Sequence, residues 1–291
     1  MDETINELET GNTLFVINQC NSNCIMCPDT DHNRRLPNNI TIEDLTRRID
    51  SMDSKSLDVI ITGGEPTLLK TQLYNMIFNC YKKMPDVKVT LLTNGRAFAD
   101  KGYSELFKPF RADKFIVEIP IHGYNPETHD RITQSAGSFE QTIAGTRNIM
   151  ALGIPVSIRI VLSKLNSDYL IKICEYLVKE FPQLVSISIM GLEMLGSAYK
   201  YRDKVWVDFQ DVKEVLENSI EICFRGGITP QIYNFPLCLF QEKFWVFYRK
   251  SITPSKISYK PQCQGCSMKS QCGGFFFSTI RHTNFQVKPF D

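Results

Sequence analysis

Long apolar runs are missing from this chain of 291 residues: none approaches the ~20 that a helix needs to cross a bilayer. An excess of charge is missing too, with 33 basic against 32 acidic side chains and a net charge of +1. That balance offers no footprint for nucleic acid or for an anionic membrane surface. The opening MDETINELETGN lacks the basic and apolar stretches of a signal peptide, so the chain is expected in the cytoplasm. There is no internal repeat and no low-complexity segment. What is left is an ordinary globular composition, 43% hydrophobic, at a length that suits one large domain with an appendage.

Cysteine, by contrast, is plentiful, with ten residues. In a reducing compartment these read as thiols and metal ligands rather than disulfides. Cys80, Cys174 and Cys223 fall on the apolar stripes of helical patterns and are expected to be inert packing. The other seven form a group near the start (Cys20, Cys24, Cys27) and a group near the end (Cys238, Cys263, Cys266, Cys272).

Six Val/Ile/Leu-rich runs, at 14–18, 57–62, 88–93, 114–121, 156–162 and 185–190, read as parallel strands buried on both faces. Amphipathic patterns at 41–51, 67–83, 138–152 and 168–180 read as helices between them, with Thr41 as an N-cap. Gly153-Ile154-Pro155 stops the third helix and launches the next strand. This alternation predicts an α/β fold, a partial (β/α)6 TIM-like barrel over residues 1–206 with ligands at the carboxyl ends of its strands. A helix at 208–225, a short strand at 228–233 and an irregular cysteine-bearing tail make a small second domain, 207–291.

The first cysteine group has the spacing C-x3-C-x2-C directly after the first strand. A structural zinc site wants four ligands, and so does an electron-transfer [4Fe–4S] cube. Three sulfurs on one loop can hold three irons and leave the fourth open to a small molecule. The second strand then ends in Gly63-Gly64-Glu65-Pro66. The glycines allow a close approach of backbone to a ligand, and Pro66 fixes the exit of the turn. Glu65 offers a carboxylate to a cation.

Together these motifs resemble the radical S-adenosylmethionine (SAM) enzymes. The resemblance implies a [4Fe–4S] cluster on Cys20, Cys24 and Cys27 whose open iron chelates SAM, with Glu65 on the SAM amino group. One electron then gives methionine and a 5′-deoxyadenosyl radical that abstracts hydrogen from a substrate. Thr93-Asn94-Gly95 is similar to a turn of relatives with peptide substrates. Pro120 and His122 stand where many relatives carry Ser and Asp, so the ribose contact is not carried over. His122 is then either a contact for substrate or SAM or a hydrogen-bonded structural histidine, while His129 is expected to be structural. Arg159, inside the fifth strand, needs a partner, which the resemblance implies is the SAM carboxylate and which a protein Glu could also supply. Met190, Gly191 and Leu192 resemble the segment that lies against adenine.

Cys263-x2-Cys266-x5-Cys272-Gly273-Gly274 resembles the auxiliary-cluster segments called SPASM and twitch. The full SPASM pattern has its next cysteine where this chain has Phe276, and Cys238 is the available ligand upstream. This implies one auxiliary [4Fe–4S] cluster on Cys238, Cys263, Cys266 and Cys272. A zinc knuckle on the same four, or a three-ligand cluster without Cys238, fits the spacing as well. The segments YNFPLC, FWVFYRKSI and PQCQGCSMKSQCGGFF are similar to the maturase branch that serves His-Xaa-Ser peptides. That implies a ribosomally made peptide substrate and an electron donor such as flavodoxin or ferredoxin. About a dozen residues precede the first strand, so either the core peptide is read directly or a partner protein presents it. Radical chemistry on a small metabolite or a protein residue is the alternative within enzymes. A non-catalytic iron–sulfur or zinc scaffold is the other class, and the intact GGEP turn argues against it.

Overall fold

The computed structural model describes residues 12–30, 32–110, 112–250 and 256–291. Eight strands follow one another in chain order through one sheet: β1 (Thr13–Phe15), β2 (Asp58–Thr62), β3 (Lys88–Leu92), β4 (Phe115–Pro120), β5 (Val156–Val161), β6 (Ser186–Met190), β7 (Thr229–Tyr233) and β8 (Tyr248–Arg249). The registers from β1 to β4 and from β6 to β8 are parallel. This is the expected α/β architecture, with the short strand expected at 228–233 joining the sheet as β7. The region read as an irregular tail supplies one more, β8, which at two residues is too short to carry a period.

The helices are α1 (Ile42–Ser51), α2 (Thr71–Lys83), α3 (Lys101–Glu105), α4 (Pro126–Thr133), α5 (Ser138–Ala151), α6 (Leu170–Glu180), α7 (Gly196–Lys200), α8 (Arg202–Val205), α9 (Lys213–Arg225) and α10 (Phe277–His282). Thr41 caps α1 as expected: its Oγ1 accepts the Asp44 N–H at 3.1 Å, and the Asp44 carboxylate accepts the Thr41 N–H at 3.2 Å. A cap of this kind contributes ~1 kcal/mol. The helix expected from residue 67 starts later, because Pro66–Leu69 forms a 3-10 turn and Lys70 breaks the spiral at φ +50°. Helix α4 escaped the sequence pattern because Asn125-Pro126 reads as loop. In the fold Asn125 accepts the Thr128 N–H at 2.9 Å, and Pro126 sits in the first turn, where its missing N–H has no partner to lose.

The chain falls into two compact units, residues 12–23, 32–120 and 137–157 in one, and 24–30, 121–136 and 158–291 in the other. The first unit buries Val59, Ile61, Val89, Leu91 and Val117 completely, together with Phe98 and Phe107, whose rings meet edge to face at 5.0 Å. Each such side chain contributes ~1.5–3 kcal/mol by leaving water. The second unit buries Ile173, Leu177, Ile187 and Ile189, and adds a short antiparallel ribbon of β9 (Ile257–Ser258) and β10 (Phe275–Phe276). Cys80, Cys174 and Cys223 are fully buried core, as expected, and burial pushes the Cys80 thiol up to about 12. Among the described residues no helix is long and apolar enough to cross a membrane.

Candidate active site

In the first unit the GGEP turn packs on the loop that carries Cys20. The Gly64 N–H donates to Ile17 O at 2.6 Å and the Glu65 N–H to Gln19 O at 2.8 Å. A Cβ on Gly63 would stand 2.4 Å from Ile17 O, and one on Gly64 2.2 Å from Gln19 O. The two glycines are therefore required by the protein's own backbone, before any ligand is considered.

From the other side the turn after β3 grips the same loop. Asn94 Nδ2 donates to Asn21 Oδ1 at 2.6 Å, and Arg96 donates to Ser22 Oγ at 3.0 Å and to Asn21 O. Cys20 itself is half-buried and its sulfur accepts the Ser22 N–H at 3.4 Å. Gly95, at φ +75°, makes this turn possible.

Glu65 joins the two turns. It is buried, and Oε1 accepts from the Thr67 N–H (3.0 Å), Thr67 Oγ1 (2.6 Å) and Thr93 Oγ1 (2.5 Å), while Oε2 accepts the Asn94 N–H at 2.7 Å. Burial pushes its carboxyl up, and these hydrogen bonds offset only part of that rise. The carboxylate therefore braces the ends of β2 and β3 in addition to any part it takes with a ligand.

In the second unit Cys24 and Cys27 are half-buried at a turn closed by Cys27 N–H to Cys24 O at 3.1 Å. Met26, between them, plugs into an apolar cluster of Ile132, Leu192, Met194, Ala198 and Val205. The start of α7 seals the turn: the Ala198 N–H donates to Cys27 O and the Ser197 N–H to Asp29 O, both at 3.2 Å. Gly196, at φ +51°, has Pro28 O 2.4 Å from where a Cβ would be. An anchor in the core and half-exposed sulfurs at the rim are what a cluster-binding loop requires.

The second unit also holds the remaining candidates. His122, just past β4, is buried; its N–H donates to His129 Nδ1 at 3.2 Å and the two rings lie 6.0 Å apart, nearly parallel. His122 Nδ1 has no hydrogen-bond partner among the described residues. Burial first, then the charges of His129 and Arg159, lower its pKa to about 3. A histidine that is neutral when folded but protonatable when unfolded loses stability as pH falls below its ordinary 6.5. Stability of the iron-free chain should therefore drop by about 2 kcal/mol between pH 7.5 and pH 5 from this residue alone. Urea midpoints across that range check it, and His122→Gln should flatten the slope.

Arg159 is half-buried and donates from Nη2 and Nε to Met190 Sδ at 3.0 and 3.3 Å. A thioether is a weak acceptor, unlike the Glu that the sequence allowed as a partner. The Gly191 N–H donates to Tyr233 O at 2.9 Å, and a Cβ on Gly191 would meet Asn234 O at 2.4 Å. Leu192 is buried and its carbonyl accepts Thr279 Oγ1 at 2.7 Å, which ties α10 to the end of β6.

The four tail cysteines are all half-buried, and backbone donors serve two of them, Cys266 and Cys272. Cys272 Sγ accepts the Leu237 N–H at 3.5 Å and the Gly274 N–H at 3.3 Å, and Cys266 Sγ accepts the Phe290 N–H at 3.4 Å. Burial raises the Cys238 thiol, its neighbours Cys272 and Cys263 raise it further, and the Lys288 N–H pulls it down. Burial likewise raises Cys263, with Cys272 and Cys266 adding to it. The sulfurs thus lie near enough to raise one another, and Cys266 and Cys272 receive backbone N–H donors of the kind that support a bound thiolate. Among the described residues no three His, Cys, Asp or Glu side chains converge on one ion, and a cube, which spreads its ligands over several irons, does not need them to.

Arg96, Gly196 and Met26 were not singled out in the sequence. Of these, Gly196 had a signal, a glycine in MGLEMLGSA just after a strand. Arg96 looks like any surface cation, and Met26 like any residue between two cysteines.

A family model described as the Radical SAM superfamily matches residues 14–177. The AdoMet-dependent heme synthase of Methanosarcina barkeri is 29% identical over 158 residues, 54% of this chain and 43% of its own length. The AdoMet-dependent heme synthase of Oleidesulfovibrio alaskensis is 23% identical over 284 residues, 94% of this chain and 67% of its own. Among solved structures, Streptococcus suis SuiB bound to S-adenosylmethionine superposes with TM-score 0.60 at 15% identity, covering 76% of this chain and 49% of SuiB. SuiB bound to its precursor peptide SuiA gives TM-score 0.60 at 16% identity, covering 76% and 48%. At such identities the likeness to SuiB is one of fold. The chain spans about half the length of SuiB and less than half that of the M. barkeri protein.

Proposed function

This chain belongs to the radical SAM superfamily, and we propose that it generates a 5′-deoxyadenosyl radical to modify a ribosomally made peptide. The observation that carries the radical chemistry is the loop of Cys20, Cys24 and Cys27. In each unit neighbouring turns hold its backbone, while all three sulfurs stay half-buried at its rim. When bound there, a [4Fe–4S] cluster supplies one electron to SAM, which breaks into methionine and the radical. Within the turn Gly63–Pro66, Glu65 would take the SAM amino group, Arg159 its carboxylate and the Met190-Gly191-Leu192 segment its adenine, with His122 a contact for substrate or SAM. Residues 207–291 form the auxiliary domain, with a second [4Fe–4S] cluster on Cys238, Cys263, Cys266 and Cys272. The backbone donors to Cys266 and Cys272 support it.

The peptide assignment is supported by the tail segments around Cys238 and Cys263–Cys272, and by a fold shared with SuiB, whose structure holds a precursor peptide. A second reading, heme formation, is favoured by relatives named heme synthases that align with 94% of the chain. The electron donor on either reading is a low-potential carrier such as flavodoxin or ferredoxin. Reconstituted anaerobically and reduced with dithionite, the protein should release 5′-deoxyadenosine from SAM. Zinc without iron, and no release, would end the radical reading. Stimulation of that release by a peptide rather than by a heme precursor decides between the two substrates.

A further inference from the structure

The segment 285–290 does not pair with a strand or helix; its backbone runs to the tail cysteines. Phe285 anchors it, buried against Phe275 at 4.7 Å and Phe209 at 4.9 Å between ring centres. Lys260 donates to Phe285 O and lies 3.9 Å above the centre of its ring. Five residues on, the chain spends the Phe290 N–H on sulfur, donating to Cys266 at 3.4 Å. The far end is fastened by the Ser267 N–H to Phe290 O at 3.1 Å and by the Phe290 ring edge-on to Trp245 at 5.4 Å. One short segment thus runs from the aromatic core at Phe285 to the sulfur of Cys266.

We propose that residues 285–290 are a strap over the auxiliary cluster, which sets its reduction potential through the Phe290 N–H group and keeps solvent from its irons with the Phe290 ring. The inference rests on the reading that the four tail cysteines hold a [4Fe–4S] cluster. A cluster gains negative charge when reduced, part of it on sulfur, and an N–H aimed at that sulfur favours the reduced state. Removing the N–H lowers the potential. Removing the ring leaves the N–H in place and opens a path for water and chelators. The two halves of the strap therefore have separable signatures.

The test uses the full chain with Cys20→Ala, Cys24→Ala and Cys27→Ala together, so that only the tail site contributes iron and an EPR signal. The parent should hold about four irons after reconstitution. In that background Phe290→Pro, which lacks both the ring and the N–H, should show a lower reduction potential than Phe290→Ala, which lacks the ring alone, in an EPR-monitored titration. Phe290→Ala should lose iron to a chelator about tenfold faster, in the range found for residues that support a metal's ligands. Phe290→Tyr should restore the parent's rate. A parent without iron overturns both the auxiliary cluster and the strap. A parent with iron, whose Pro and Ala variants match it in potential and in rate, overturns the strap alone.

Discussion

On the proposed reading of two four-iron clusters, Gly64→Ala should leave the tail cluster intact and empty the N-terminal one, so that iron per chain falls from about eight to about four. The added Cβ has nowhere to go. It would lie 2.2 Å from Gln19 O and 2.4 Å from Asn18 O, both backbone atoms that no rotamer change can move. Relief requires the GGEP turn and the Cys20 loop to separate by about an ångström, which breaks the hydrogen bonds from Gly64 to Ile17 O and from Glu65 to Gln19 O. Displacements of that size at a reacting centre cost on the order of 100-fold in rate. Release of 5′-deoxyadenosine should therefore fall by at least that factor. Gly265→Ala is the control: it lies between two tail cysteines, yet its Cβ would meet nothing within 4 Å, and both iron and rate should stay at the wild-type level. A Gly64→Ala protein with full iron would show that the loop tolerates the shift.

How much of this could be read beforehand follows from what each residue needs. The six strand positions were legible because Val, Ile and Leu dominate each run; β2, β3 and β4 bury one face fully and the other by half, while β6 is buried on both. The cysteine triplet and the GGEP turn were legible because they are contiguous in sequence. What the glycines approach was not legible. Pattern reading took a close backbone contact at Gly63 and Gly64 to mean a ligand, and the nearest atoms belong to Ile17, Asn18 and Gln19, some 45 residues earlier. The same distance problem hides Arg96, whose partners Asn21 and Ser22 come from another loop. The tie from residue 290 to Cys266 was hidden for a different reason: it is made by a backbone N–H, and side-chain identity says little about that.

Replacing Glu65 should cost stability before it costs SAM binding. Its two oxygens take four donors from Thr67, Thr93 and Asn94, and Thr67 and Thr93 are themselves buried. Glu65→Ala leaves those donors facing a cavity, at ~1–3 kcal/mol for each one that finds no water, so ~3–6 kcal/mol in all after relaxation. That is a large share of the 5–15 kcal/mol by which a typical domain is stable, and the thermal midpoint of the iron-free chain should fall steeply. Glu65→Gln should lie between alanine and wild type. The Gln amide carries one acceptor oxygen and one donor nitrogen, so the Thr67 N–H or the Asn94 N–H must lose its acceptor while the threonine hydroxyls turn to accept. The two variants separate a brace from a ligand contact. If the carboxylate serves chiefly as a brace, SAM affinity follows the stability loss, with Gln close to wild type and Ala far below. If Gln and Ala both keep the wild-type midpoint while SAM binding weakens equally in each, the carboxylate works on the ligand, and the brace it forms between β2 and β3 is incidental.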